Sequence, residues 1–229
     1  MKLYTRLFTL LLCLGQVLSA QTPASEQDKR IILHGATVHI GNGKLMENAV
    51  IIIEEGKIKD IADAKRVRLD TTNSVYIKAQ GKHIYPGFIL PNSTLGLVEI
   101  DAVRATRDAR ETGFMNPHVR SIIAYNTESI VSSTVRTNGI LLSQICPRGG
   151  RISGTSSIVE MDGWNWEDAV FKEDDGLQLN WPYYRTSKKK QYSEPITATN
   201  DFFAKAKAYS AATAKATDVR MEALKGILN

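Results

Sequence analysis

The chain has 229 residues, a formal net charge of +5 and 43% hydrophobic residues. This composition excludes a disordered or fibrous protein and leaves room for one or two modest domains. Twenty-nine basic against 24 acidic residues is too even a balance for a nucleic-acid footprint.

The first twenty residues stand apart. Lys2 and Arg6 precede an apolar run from Leu7 to Leu18, and Ser19-Ala20 follow before Gln21. A basic start, a short apolar core and a small-residue end predict a secretory signal peptide over 1–20, cleaved after Ala20. The run is shorter than the roughly 20 residues a spanning helix needs, so no stable membrane anchor is expected after cleavage. Cys13 lies behind Leu11-Leu12, without the small residue a lipid-anchor site wants. The expected location is outside the cytoplasm, periplasmic or secreted. Cys146 is then the one mature cysteine, which rules out an internal disulfide and points to a small buried apolar role.

Residues 21–29 are polar, contain Pro23 and read as a leader. From Arg30 onward hairpin signals recur. Ile31-Ile32-Leu33 and Ala36 to Ile40 lead into Gly41-Asn42-Gly43, where Asn-Gly accepts positive φ cheaply. The β-branched run Ala49 to Glu54 turns at Glu55-Gly56 into the alternating Lys57 to Ile61, and Val75 to Ala79 adds a further strand. Residues 30–84 therefore read as a small antiparallel β unit.

Tyr85 to Pro91 opens a second region with a short apolar strand between prolines. Gly113 to His118 reads as a loop and Val119 to Ile130 as a helix. Ile140 to Ile145 is a near-continuous apolar strand of the two-sided, parallel kind. A long loop rich in Gly, Ser and Trp follows. Thr199 to Leu228 reads as a closing helix with Ala212, Ala216, Val219, Ala223 and Ile227 on one stripe. The order gives an α/β fold with an all-β prefix.

Two stretches carry a resemblance. They are Gly35-Ala36-Thr37-Val38-His39-Ile40-Gly41-Asn42-Gly43 with Asn48 to Ile58, and Gly81-Lys82-His83-Ile84-Tyr85-Pro86-Gly87-Phe88-Ile89. Together they resemble the amidohydrolase superfamily, and within it the imidazolonepropionase-like members. The resemblance is specific over 31–89 and weaker to 229. It implies that 30–84 form a β-sandwich domain and that 85–229 form the first part of an incomplete (β/α)8 TIM-type barrel. It also implies hydrolysis of carbon–nitrogen bonds other than peptide bonds, by water activated on a divalent metal such as zinc.

After Pro-Gly-Phe-Ile the family continues with an aspartate and two histidines one residue apart. On a strand, i and i+2 face one way, so both imidazoles reach one ion. Here those positions read Leu90, Asn92 and Thr94. An amide and a hydroxyl are poor zinc ligands, so no cofactor is expected in this chain. The remaining family ligands come from later barrel strands, and Tyr85 to Asn229 falls well short of the about 250 residues of a full barrel.

Other residues invite a role. Arg148, Gly149, Gly150, Arg151 and Ser153 follow the apolar strand, where α/β folds place binding loops, and form the candidate ligand loop, with a turn-rich crossover as the plainer reading. The loop is neither a P-loop nor a Gly-x-Ser-x-Gly elbow. His34, His39, His83 and His118 have no metal-ligand spacing and read as structural, His39 as solvent-facing. The aromatics of Asp162 to Asp168 and Trp181 to Tyr184 read as loop packing or an interface, and Lys188-Lys189-Lys190 as a solvated face. Glu99 and Asp101 lie close in sequence without a visible cleft. The sequence thus predicts an exported amidohydrolase-like chain that is inactive alone. The alternatives are a non-catalytic periplasmic binding protein with a small-molecule ligand, or one half of a two-chain barrel associating with a complementary chain or with itself.

Overall fold

A computed structural model describes residues 23–182, 189–213 and 216–228. Residues 1–20, read above as a signal peptide with Cys13, and Tyr183, Tyr184 and Lys188 lie outside the described residues. Among the described residues no helix is long and apolar enough to cross a membrane.

The first sheet holds β1 (Arg30–His39), β2 (Leu45–Glu54), β3 (Lys57–Asp63), β4 (Ser74–Lys78) and β5 (His83–Ile84), in the order β3-β2-β1-β4, with β5 also pairing β1. Both hairpins form. Glu55 (φ 51°) and Gly56 (φ 70°) are left-handed, the backbone that suits a two-residue hairpin turn. The first turn differs in detail. Positive φ falls on Gly41 and Gly43, while the Asn42 side chain accepts a hydrogen bond from the Lys44 amide at 3.0 Å.

The fully antiparallel expectation is corrected, because β4 and β5 both run parallel to β1. No tight turn separates Asp63 from Ser74, and parallel neighbours need a longer connection that returns the chain to the same end. The apolar side of this sheet switches parity along β1. Leu33 packs with Ala36 and Val38, one odd position with two even ones. Gly35 (φ 85°) makes the switch in a bulge, where a Cβ would sit 2.8 Å from the Gln80 side chain.

The second sheet runs β6 (Phe88–Ser93), β7 (Ile140–Ile145), β8 (Ile152–Glu160) and β9 (Val170–Leu179). Only β6 and β7 are parallel; β7–β8 and β8–β9 are antiparallel. The reason is chain length. Residues 146–151 are too few for a crossover, which takes a dozen or more, so β8 must fold back beside β7. The Gly/Ser tract expected to be loop is therefore largely a buried strand. Its small residues let residues 113–120 cross it closely, through bridges of Met115 to Ile152 and Arg120 to Thr155.

That crossing also explains the fate of the predicted helix at Val119 to Ile130. The Val119 carbonyl accepts from the Thr155 amide at 2.7 Å and the Ser121 hydroxyl donates to the Ile145 carbonyl at 3.0 Å, so only a 3₁₀ turn forms at Ser121–Ala124. Helix α1 begins later, at Ile130–Thr137. A core of Leu95, Leu97, Ile122, Tyr125, Ile145 and Val159 joins these pieces. Short α2 (Trp166–Ala169) is capped by Asn165, whose side chain accepts from the Asp168 amide at 2.8 Å.

The closing helix is two helices, α3 (Lys189–Ala211) and α4 (Val219–Leu228). Asp218 starts the second by accepting from the Arg220 amide at 3.0 Å, and this cap overrides the expected continuous stripe. The buried contacts are Ala206, Met221 and Leu224, whereas Val219 and Ile227 of the predicted stripe are exposed.

Candidate functional site

The residues at the motif positions do not alternate as a regular strand would. Leu90 packs against the core, and Asn92 adopts φ 51° where the β6–β7 register shifts between Leu90 and Ser93. Left-handed backbone at Asn92 breaks the same-face relation on which a histidine pair would depend. Asn92 is instead held by Arg148 from the loop after β7. One guanidinium nitrogen donates to the Asn92 side-chain oxygen and the other to its backbone carbonyl at 2.6 Å.

A hydrogen-bonded row continues inward. The Asn92 amide donates to Gln144 Oε1 at 3.2 Å, and Gln144 Nε2 donates to Asp175 Oδ2 at 2.8 Å. Asp175 Oδ1 is buried without a hydrogen-bond partner among the described residues. Sequence reading missed Gln144 and Asp175. Their signal was weak: a glutamine in an apolar strand, and one acid among several.

These donors do not fit the metal that the resemblance implies. Both Asn92 oxygens already face a cation, the Arg148 guanidinium, and a second positive charge beside it is disfavoured. No group of three or more His, Cys, Asp or Glu that could hold a metal ion occurs among the described residues. Replacing Asn92 and Thr94 together by histidine is expected to yield no stoichiometric zinc in dialysed protein by elemental analysis, because the backbone turn and Arg148 remain. One tightly held zinc per chain in that double variant sinks this account.

Arg148 also lines a cavity of about 650 Å³ together with Thr94, Arg104, Arg107 and Arg110, with Asp101 and Asp108 as its acidic members. Asp101 is spoken for by Arg107 at 3.6 Å. Among the described residues Arg104 and Arg110 make no ion pair, so positive charge is in excess. The Arg148 amide donates to the Ala109 carbonyl at 2.6 Å, which fastens this loop to the arginine-bearing segment.

The rest of the candidate ligand loop serves the fold. Gly150 (φ 62°) passes so near Phe114 that a Cβ would lie 2.8 Å from its carbonyl oxygen. The Arg151 amide donates to that same carbonyl at 2.7 Å, so it does not point at a ligand. Arg151 is 9% exposed, donates to the Asn180 carbonyl and lies over the Phe114 ring at 5.4 Å. The Ser153 hydroxyl donates to the Gly149 carbonyl at 2.5 Å and accepts from Asn180 Nδ2 at 2.8 Å. Of the five loop residues, the cavity receives Arg148.

The other residues singled out by sequence sort clearly. Cys146 is buried, and burial pushes its thiol pKa up. Glu99 accepts from the Ser129 hydroxyl at 2.9 Å, a structural tie beside α1. Trp166 packs on the core, while exposed Trp164 borders a cavity of about 330 Å³ with Pro23, Arg136 and Asp162. His118 is exposed and His34 lies 5.6 Å from the Tyr76 ring. His39 and His83, far apart in sequence, meet across β1 and β5.

Neither a protein-family model nor a curated protein matches the chain. Among solved structures, an amidohydrolase from Thermotoga maritima MSB8 is similar, with a TM-score of 0.71 at 20% identity. The match covers 84% of this chain and 54% of that one, so the chain spans about half the length of its structural relative. Molinate hydrolase (TM-score 0.28, 27% identity, covering 33% of this chain and 16% of that one) is a much more distant likeness. A putative prolidase from Bifidobacterium longum (0.28, 18%, 75% and 38%) is equally distant, and neither carries an argument. The described chain, two β-sheets with few helices, shares its fold with about half of that Thermotoga maritima protein.

Proposed function

We propose that this chain is the front portion of an exported, imidazolonepropionase-like amidohydrolase-fold protein that does not perform metal-dependent hydrolysis and instead binds a small anion. The observation that carries the reading is Arg148. Asn92 holds its guanidinium at the position where the family places metal ligands, and it borders a cavity with three more arginines. A planar guanidinium with fixed direction suits carboxylate or phosphate. The cavity lies at the ends of the parallel pair β6–β7, where α/β folds bind ligands. In this reading residues 1–20 deliver the protein to the periplasm or the exterior, and β6–β7 with its crossover is the first piece of a barrel.

The test is calorimetric titration of the purified protein with citrate and with inorganic phosphate at low salt. Saturable binding that weakens as salt rises is expected. No saturable binding of either anion overturns the ligand assignment, and zinc-dependent hydrolytic turnover overturns the non-catalytic part.

A second reading rests on a different surface. Phe88 (66% exposed), Ile89, Leu141 and Phe171 border one cavity of about 500 Å³ on the second sheet. Exposed apolar groups gathered in this way mark an association surface. A complementary chain supplying further barrel strands would cover it. Size-exclusion chromatography of the chain co-expressed with such a partner distinguishes a complex from a lone monomer.

A further inference from the structure

We propose that His39 and His83 form a surface site for a tetragonal divalent transition ion, with Cu²⁺ as the best fit. The site is separate from the arginine cavity and independent of the function proposed above. Its geometry comes from sheet pairing. β5 runs parallel to β1 with Thr37 opposite His83 and Val38 opposite Ile84, and the Thr37 amide donates to the Lys82 carbonyl at 2.9 Å. These bonds bring His39, at the end of β1, beside His83. His39 Nε2 and His83 Nδ1 lie 3.0 Å apart. Tyr85 stacks on the His39 ring with centroids 4.1 Å apart and planes 15° from parallel, which limits how that imidazole can turn.

The separation brings both nitrogens within reach of one ion. With metal–nitrogen bonds of about 2.0–2.1 Å, two nitrogens this close subtend an angle of about 95° at the metal. That is compatible with neighbouring corners of a square-planar or tetragonal ion. Imidazole is a good ligand for Cu²⁺, and Cu²⁺ stands at the top of the affinity order for divalent first-row ions. Water fills the other positions, since no third His, Cys, Asp or Glu joins this pair among the described residues.

The neutral pair shares one N–H···N hydrogen bond. Binding replaces it by two nitrogen–metal bonds. The ring that donated moves its proton to its other nitrogen, and a small rotation of exposed His83 turns both lone pairs to the ion. No net proton is released. Bound metal would clip the end of β1 to the segment that leads through Pro86 into the second sheet.

The experiment is titration of the full, tag-free protein with CuCl₂, read by electron paramagnetic resonance and by equilibrium dialysis. One Cu²⁺ per chain is expected, with an axial spectrum and hyperfine splitting from two equatorial nitrogens. His39→Gln and His83→Gln should each weaken binding by more than about 10-fold, since each removes one of two protein ligands. The double variant His34→Gln/His118→Gln should retain the site. Circular dichroism of each variant checks that the sheet persists. Stoichiometric copper that survives both single substitutions, or a spectrum without two nitrogens, overturns the assignment.

Discussion

Gly154→Val is expected to lower the melting temperature by roughly 10 °C, corresponding to about 4 kcal/mol for a chain of this size. Two costs add. Gly154 has φ 134°, a backbone region closed to β-branched side chains. A Cβ there would also lie 2.4 Å from the Val119 carbonyl oxygen, and that oxygen is held by the Thr155 amide at 2.7 Å. Backbone cannot swing aside as the end of a side chain can, so the strand and the crossing segment must part. That opens the contact between β8 and the segment feeding Ile122 into the core. Thermal unfolding followed by circular dichroism measures it. A shift under about 3 °C would show that the crossing is loose and that the glycine has another reason.

Arg148→Met should abolish measurable citrate and phosphate binding and cost about 1–2 kcal/mol of stability, the range for a few charge-assisted hydrogen bonds at a half-exposed site. Methionine keeps an unbranched apolar stem but ends short of the guanidinium position, so both bonds to Asn92 are lost. Arg104→Gln separates the two effects. Arg104 lines the cavity without an ion pair among the described residues, so the change should weaken anion binding and flatten its salt dependence while leaving the melting temperature nearly unchanged. Calorimetry and thermal melts on both variants give the comparison. Unaltered anion affinity in Arg148→Met removes Arg148 from the ligand site.

The hairpins of the first sheet were readable because their information is local: alternation on each strand, and a Glu55-Gly56 turn between neighbours. β4 was readable as a strand but not in its direction, since parallel pairing with β1 depends on where the chain goes between Asp63 and Ser74. β8 was hidden for a related reason. Its glycines and serines look like loop chemistry, yet they are small because residues 113–120 press across them, and no local pattern announces a distant segment. The split of the last helix had a signal in Asp218, which an alanine-rich stretch masked. At the site, Asn92, Thr94 and the arginine after β7 were legible one by one. Their meeting was not, nor was that of His39 with His83, 44 residues apart.

Strand β1 has one further consequence, for the order of folding. Its antiparallel partner β2 arrives over a five-residue connection, a closure that takes microseconds and costs little chain entropy. Its parallel partners β4 and β5 arrive only after β3 and the stretch that follows have been laid down. The middle of the sheet can therefore zip early while its other flank waits for a longer loop to close, so the pace of assembly of the N-terminal unit is set by the return of residues 64–73.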